Sequence, residues 1–319
     1  MALYRYRITP LSAFATPLRS DTLYGHLIWR AAERYGQDKV SELLQDFGTA
    51  SPPFRLSSAV PAHCLPIPVL PPIDREVFRR NFAPQGGREL VAALQEYKAF
   101  RKSSLIRYEK LKKLASGLNP LNLFDAWRQN RQDFPAAAGK NAIQPHNSID
   151  RQSGRVLSEG GLHFSASNWY EPGSELDLYV ETEEKALFEE LFDDVAQTGF
   201  GADRGIGKGH FSWSKHPVAL IEDWPAEGNA RLLLSLTSAE SLRPLGGYWK
   251  PEVKHGRAWS GFGEKNPFKK PFLALSEGSL LTALPETGYL LHHIHSNADL
   301  VQILWPVTLP VNLEMNHAD

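Results

Sequence analysis

The chain of 319 residues holds a single cysteine, Cys64. One thiol excludes a disulfide framework and any zinc site built mainly on thiolates, and it suits a reducing, cytoplasmic setting. No apolar run approaches the ~20 residues that cross a bilayer, so no membrane segment is expected. The first ten residues carry Arg5 and Arg7 but no apolar core, so no signal peptide is expected either. Net charge is lacking too: at −1, the total alone makes no case for a polyanionic partner. Turn formers are plentiful, and 24 Gly with 23 Pro speak against an all-helical bundle. Hydrophobic residues make up 42%, enough to bury real cores. At about 150 residues per domain, two domains are expected.

Charge is segregated along the chain. From Arg75 to Lys113, eleven Arg/Lys stand against four Glu, and from Arg243 to Lys270 seven basic residues face two acidic ones. Between them, Glu171 to Asp194 holds ten Asp/Glu against Lys185. A lone charge run is usually a solvated face. Two basic runs with interleaved aromatics (Tyr97, Phe100, Tyr108; Tyr248, Trp249, Trp259, Phe262) point toward nucleic acid. The acidic stretch suits a protein partner.

Periodicity gives the order of elements. Leu3 to Ile8 alternates as a strand, and Ser20 or Asp21 can cap a helix that runs to Tyr35 and stops at Gly36. Its apolar stripe is Leu23, Tyr24, Leu27, Ile28, Ala31 and Tyr35, with Trp29 off the stripe and turned to a second domain or a partner. At 100° per residue, Arg19, His26 and Arg30 fall within ~40° of one another on the polar side. Phe54 to Val60 reads as a strand that enters the proline-rich stretch Pro61 to Pro72. Arg88 to Leu114 reads as a basic helical insertion, and Asn141 to Gly161 as a polar loop or hairpin. Leu176 to Glu181 is a strand, and Glu183 to Gln197 an amphipathic helix with acidic residues at its N-terminus. His210 to Ser214 is a further strand, Pro217 to Gly228 a linker, and the remainder, from Arg231 to Val311, rich in strands. The first half thus follows the split βαβ order of a ferredoxin-like domain.

The densest motif is Gly199-Phe-Gly-Ala-Asp-Arg204-Gly-Ile-Gly-Lys208-Gly209, five glycines in eleven residues with two cations between them. Glycine lets backbone approach a ligand closely, and outward amides beside Arg204 and Lys208 would make a nest for phosphate. Two familiar phosphate loops fail here. Ala202 and Gly209 break a Walker A pattern, and Arg204 stands where a GxGxxG needs its last glycine. The segment also follows a helix and precedes a strand, the reverse of both. An ordinary flexible loop tip is the weaker alternative.

This loop resembles the glycine-rich motif of the RAMP superfamily, the RNA-binding proteins of CRISPR effector complexes. Thr16 to Trp29 resembles its first-helix motif, and Leu56 to Pro61 with Pro66-Ile-Pro68 the segment after it. Asn147-Ser-Ile-Asp-Arg151, followed by Gly161 to Phe164, is similar to a thumb hairpin, and Glu277-Gly-Ser279 to a C-terminal motif. Together they resemble the group formed by the fourth subunits of type III-A (Csm) complexes, which hold the 5′ handle of the crRNA. His163 stands where a bulkier apolar residue is common, and Ala202-Asp203 and Gly205 vary the loop.

The resemblance implies an α+β fold of tandem ferredoxin-like (RRM-like) domains with an inserted thumb hairpin. Residues 1–216 would form the first domain, with an insertion at about 72–160 and the glycine loop at 199–209. Residues 228–319 would form a degenerate second one. It implies a non-catalytic subunit without cofactor or metal. Its partners would be the crRNA 5′ handle, the large polymerase-like signature subunit and a backbone subunit, with target RNA met indirectly. RNA contacts are expected at Arg19, Ser20, His26, Asn147, Arg151, Gly199, Gly201, Arg204, Gly205, Gly207, Lys208 and Gly209. The competing reading is a metal-independent endoribonuclease that processes pre-crRNA, with His26 as general base. In the run His292-His293-Ile294-His295, His293 and His295 would share a face of a strand, but no acidic or cysteine ligand nearby completes a metal set. Asp150 and Arg151 read as a local ion pair shaping the hairpin.

Overall fold

The computed structural model describes residues 1–157, 159, 161–215, 217, 219–220, 224–240, 246–258 and 266–314. Gly160, Arg243, Trp259, Phe262 and Lys265 lie outside the described residues.

A long strand, β1 (Ala2–Pro10), leads into α1 (Ser20–Tyr35), and Gly36 separates α1 from α2 (Gln37–Phe47). The chain continues through β2 (Phe54–Leu56), β3 (Val60–Pro61) and β4 (Cys64–Pro66). Helices α3 (Arg75–Phe82) and α4 (Gly87–Phe100) precede β5 (Leu105–Arg107); α5 (Tyr108–Leu114) and α6 (Pro120–Gln129) follow it. A hairpin of β6 (Lys140–Asn147) and β7 (Leu162–Trp169) comes next. Then β8 (Leu176–Thr182), α7 (Lys185–Thr198), β9 (Phe211–Trp213) and β10 (Ala219–Leu220) close the first half.

Strand β1 is central in the main sheet. It pairs with β8 on one side and with β9 and β10 on the other, and β8 pairs in turn with β2 and β3, every pair antiparallel. Period-two alternation decides what each face meets. Tyr6 and Ile8 of β1, with Leu178 and Val180 of β8, pack against Leu23, Leu27, Phe188, Leu191 and Val195 of α1 and α7. On the opposite face, Tyr179 is fully buried in the cluster that includes Tyr108 and Trp224. Both faces of the sheet are therefore covered.

The second half is strand-rich, as expected. Its strands are β11 (Ala230–Leu233), β12 (Thr237–Ser238), β13 (Gly247–Tyr248), β14 (Pro251–Lys254), β15 (Phe272–Leu275), β16 (Leu280–Leu281), β17 (Leu290–Leu291), β18 (Gln302–Ile303) and β19 (Thr308–Val311). They form sheets ordered β13-β16-β11-β19 and β12-β15-β14, and a β17-β18 pair. Its apolar residues join the same cores as the first half: Leu232, Leu280 and Val311 sit with Phe124 and Tyr179, and Trp305 with Phe47.

Several local expectations change. No side chain caps α1: Arg19 holds the N-cap position, while Ser20 and Asp21 are buried in the first turn. Helix α7 starts at Lys185 with no acidic residue in its first turn; Glu184 holds the N-cap position and Glu183 pairs with the N-terminal amine. The stretch expected to be a linker is partly structural, since β10 pairs with β1 and the Trp224 indole donates to the Pro310 carbonyl. Trp29 donates to Glu33, one turn along its own helix.

The insertion is the largest correction. Its aromatics are core: Phe100 and Tyr108 are buried and Tyr97 is packed against the same cluster, with the Phe124 ring 5.0 Å from Tyr97 and 5.4 Å from Phe100. Ring edges meeting ring faces stabilise such a cluster beyond the area it buries. The interleaved cations, among them Arg79, Arg80, Arg88, Lys98, Arg101 and Lys102, form its exposed exterior. Much of the acidic stretch is likewise spent inside the chain. Asp177 receives Arg7, Glu181 receives Arg55, and Asp194 with Glu190 receives Arg34.

Candidate nucleic-acid interface

Three of the sequence motifs converge on one joint. Arg19, entering α1, donates to Glu252 at 2.7 Å and to both carboxylate oxygens of Glu277 at 3.2 and 2.8 Å. Ser58 donates to the same Glu277, and Ser276 to Glu252. The Ser58 hydroxyl accepts from the Ser20 amide, and the Ser20 hydroxyl from the Leu236 amide. Lys254 closes the set on Asp21 at 2.9 Å. The Arg19 guanidinium holds the Glu252 carboxyl down to about 2. A forked guanidinium between two carboxylates is a strong, oriented contact. Arg19 and Ser20, expected at the RNA, thus tie the first helix to the C-terminal strands.

The glycine loop is drawn shut at its neck. Gly199, with φ +82°, ends α7; a Cβ there would lie 2.8 Å from the Lys208 carbonyl. A Cβ on Gly209 would lie 2.0 Å from the Phe200 carbonyl, closer than any side chain tolerates. Phe200 and Gly209 bond across this neck at 2.9 Å, and Gly209 also donates to Ala13 at 2.8 Å. Gly201 donates to His26 Nε2 at 3.0 Å, and Ala202 to the Thr16 hydroxyl at 3.0 Å. Ile206, Gly207 and Lys208 donate to carbonyls within the loop. These amides, expected from the sequence to open toward a ligand, are used by the protein. Lys208 is no free cation either. It is buried, and its ammonium lies 3.0 Å from Asp203 and 3.4 Å from Ser165 Oγ. What faces outward is the short tip, where Gly205 has open space around it, Ile206 is 73% exposed and Arg204 is partly exposed.

His26 sits under this loop, ring against Phe200 at 4.7 Å. Its Nε2 accepts from Gly201, which places the imidazole proton on Nδ1. Burial, with the nearby cations Arg204 and Arg30, lowers its pKa to about 4. The lone pair a general base would use is occupied. Arg30 is buried and paired with Glu33 at 2.7 Å, so the expected polar face of Arg19, His26 and Arg30 is part-buried, with each of the three engaged inside the chain.

The Asn141–Gly161 segment is the end of a hairpin, in register from Lys140↔Trp169 to Asn147↔Leu162. One face turns toward the body, with Gln144, His146 and Ser165 part-buried. The other exposes Ile143 at 70% and Phe164 at 64%. Past Asn147, an isolated bridge joins Ile149 to Val156, and Ile149 and Arg151 are exposed. Asp150 does not pair with Arg151. It accepts from the Gln152 amide and the Ser153 hydroxyl, bonds that hold its carboxyl below the usual range.

The histidine run forms no strand. His293 takes φ +59°, and His295 is buried with its ring nitrogens bonded to the Asn297 amide and the Asn266 carbonyl. Among the described residues, no three His, Cys, Asp or Glu side chains converge as metal ligands. No helix among them is long and apolar enough to cross a membrane.

No protein-family model matches the sequence, and no curated protein matches it either. Solved structures do. A chain in the crystal structure of the Csm1–Csm4 cassette in complex with cA4 is 16% identical, with 98% of this chain and 99% of that one covered and a TM-score of 0.54. A chain in the crystal structure of the Csm3–Csm4 subcomplex in the type III-A CRISPR-Cas interference complex is 14% identical, with 97% and 99% covered and a TM-score of 0.56. Over nearly its whole length, this chain has the fold found in those type III-A assemblies.

Proposed function

We propose that the chain is a non-catalytic subunit of a type III-A CRISPR effector complex. It holds the 5′ handle of the crRNA and bridges the large polymerase-like subunit to the backbone subunits. The observation that carries this is the end-to-end likeness to chains of the Csm1–Csm4 and Csm3–Csm4 assemblies. The basic exterior of the insertion adds to it, since clustered cations are the electrostatic footprint of a polyanion site. The RNA-contacting groups are Arg204 and Gly205 at the loop tip and Asn147, Ile149 and Arg151 on the hairpin, which acts as the thumb. Gly207 completes the tip, and Gly199, Gly201, Lys208 and Gly209 support it from beneath. An RRM-type mode is disfavoured, because the buried Tyr179 face offers no ring for a base to stack on.

The strand order β9-β1-β8-β2, with α1 and α7 on one face, supports a ferredoxin-like first domain over residues 1–216. Residues 228–319 then form a degenerate second domain. Cleavage by His26 is the weaker reading, because its Nε2 lone pair is engaged by Gly201.

Incubating the purified chain with labelled repeat RNA in EDTA separates the two. Binding without cleavage is expected, with a salt dependence that weakens by ~0.7 in log–log slope for each phosphate contact removed. Metal-independent cleavage lost in His26→Ala would overturn the proposal.

A further inference from the structure

The body-facing side of the hairpin carries a pair of histidines that none of the roles above uses. His146 and His163 stand directly opposite each other in the β6–β7 register, with rings nearly parallel (17°) and centroids 5.2 Å apart. From this pair a polar chain runs to the glycine loop. His146 Nε2 lies 2.8 Å from Ser165 Oγ, Ser165 Oγ lies 3.4 Å from Lys208 Nζ, and Lys208 Nζ lies 3.0 Å from Asp203 Oδ2. The charged groups facing the pair across this chain are Lys208 and Asp203 of the loop; on the same hairpin face Ala142, Gln144 and Ser167 carry none, and Lys140 at its far end is paired with Glu171. His163 is exposed and His146 part-buried, so solvent reaches the pair.

We infer that His146, His163 and Ser165 form a phosphate subsite in the angle between the hairpin and the glycine loop, and that protons are taken up when an RNA phosphodiester occupies it. The inference rests on the proposed RNA-binding role. Its logic follows from donor counting. Lys208 donates to Ser165 Oγ, so the Ser165 hydroxyl is free to give its own hydrogen to a neutral His146. When His146 gains a proton, its Nε2 becomes a donor, and the serine hydrogen must find another acceptor. A phosphate oxygen in the angle provides one. Two stacked imidazoles repel once both are charged, and the Lys208 charge beyond them is already balanced by Asp203. An anion in contact with both rings removes that penalty and makes three charge-assisted contacts possible. Imidazole is the side chain on which acid places a charge, so lowering the pH should strengthen the hold of this pair on a phosphate.

The test measures binding of a labelled single-stranded repeat RNA to the full chain at pH 8 and pH 6, at fixed ionic strength. The wild type should tighten by about tenfold, the range one charge-assisted hydrogen bond supplies. In the His146→Gln/His163→Gln double variant, the two affinities should agree within about twofold of each other. A double variant that keeps the full pH dependence overturns the subsite and leaves the RNA-binding reading standing. Absence of RNA binding at both pH values overturns both. Should the double variant fail to fold, acylation of wild-type histidines by diethylpyrocarbonate, mapped by mass spectrometry, decides instead. RNA should shield His146 and His163, and unshielded residues overturn the subsite.

Discussion

The joint at Arg19 and the hairpin at Arg151 are written in similar residues, short polar stretches with an arginine, yet they are put to opposite uses. At the joint, Arg19 reaches two glutamates more than 230 positions away in the chain, and its neighbours Ser20 and Asp21 are buried. On the hairpin, Arg151 and Ile149 project into solvent, and Asp150 is satisfied by its own turn. The glycine loop repeats the contrast in miniature: its neck is closed by backbone, its tip is open. A polar arginine-bearing stretch can therefore serve as frame in one place and stay open to solvent in another.

Four substitutions and conditions sharpen this contrast. Largest is Gly209→Ala, which combines a positive φ with a Cβ pressed on the Phe200 carbonyl; a loss of about 3 kcal/mol or failure to fold is expected. Gly205→Ala, with nothing within 4 Å, should melt like the wild type. If the two behave alike, the neck does not close the loop as described. Second, acid should weaken the fold through His26. Its native pKa of about 4 lies below its ordinary value of 6.5, so the unfolded chain binds more protons between them. Stability is full above about pH 6.5 and falls as pH drops toward 4, by about 3 kcal/mol in all. Denaturant melts of His26→Gln should lose that component.

Third, Arg19→Ala strands two carboxylates and should cost about 2 kcal/mol in urea unfolding. An effect below about 0.5 kcal/mol, typical of surface sites, would deny the joint its structural role. Fourth and smallest, Arg151→Ala should leave stability within about 0.5 kcal/mol of wild type while weakening RNA binding. Equal affinity for RNA would remove the hairpin from the interface.

Elements with a clear local signature were legible in the sequence: β1, α1 with its stop at Gly36, and α7 with its stop at Gly199. The hairpin was legible from its polarity and glycines. The insertion was misread because periodicity does not say whether Phe100 and Tyr108 meet bases or one another, and only packing against Phe124 and Trp224 decides it. The loop's chemistry was half legible. Three of the five glycines mark a close approach within the protein, Gly199 to the Lys208 carbonyl, Gly201 to Thr16 and Gly209 to the Phe200 backbone, whereas Gly205 and Gly207 have open space around them. Nothing in the order of residues could pair Arg19 with Glu252 and Glu277, because both partners lie in the other half of the chain. The stacking of His146 on His163 was equally out of reach, since it depends on hairpin register, which slips by one residue without any change in composition.

The central claim is that the hairpin and the loop tip meet RNA while the joint holds the frame. Ultraviolet cross-linking of the full chain to labelled repeat RNA, followed by peptide mapping, tests it most directly. Cross-links should fall on hairpin residues between Asn147 and Phe164 and on the loop tip from Arg204 to Gly207, and spare Arg19 and Ser20. Cross-links concentrated at Arg19 and Ser20, with the hairpin and tip unmarked, would contradict it.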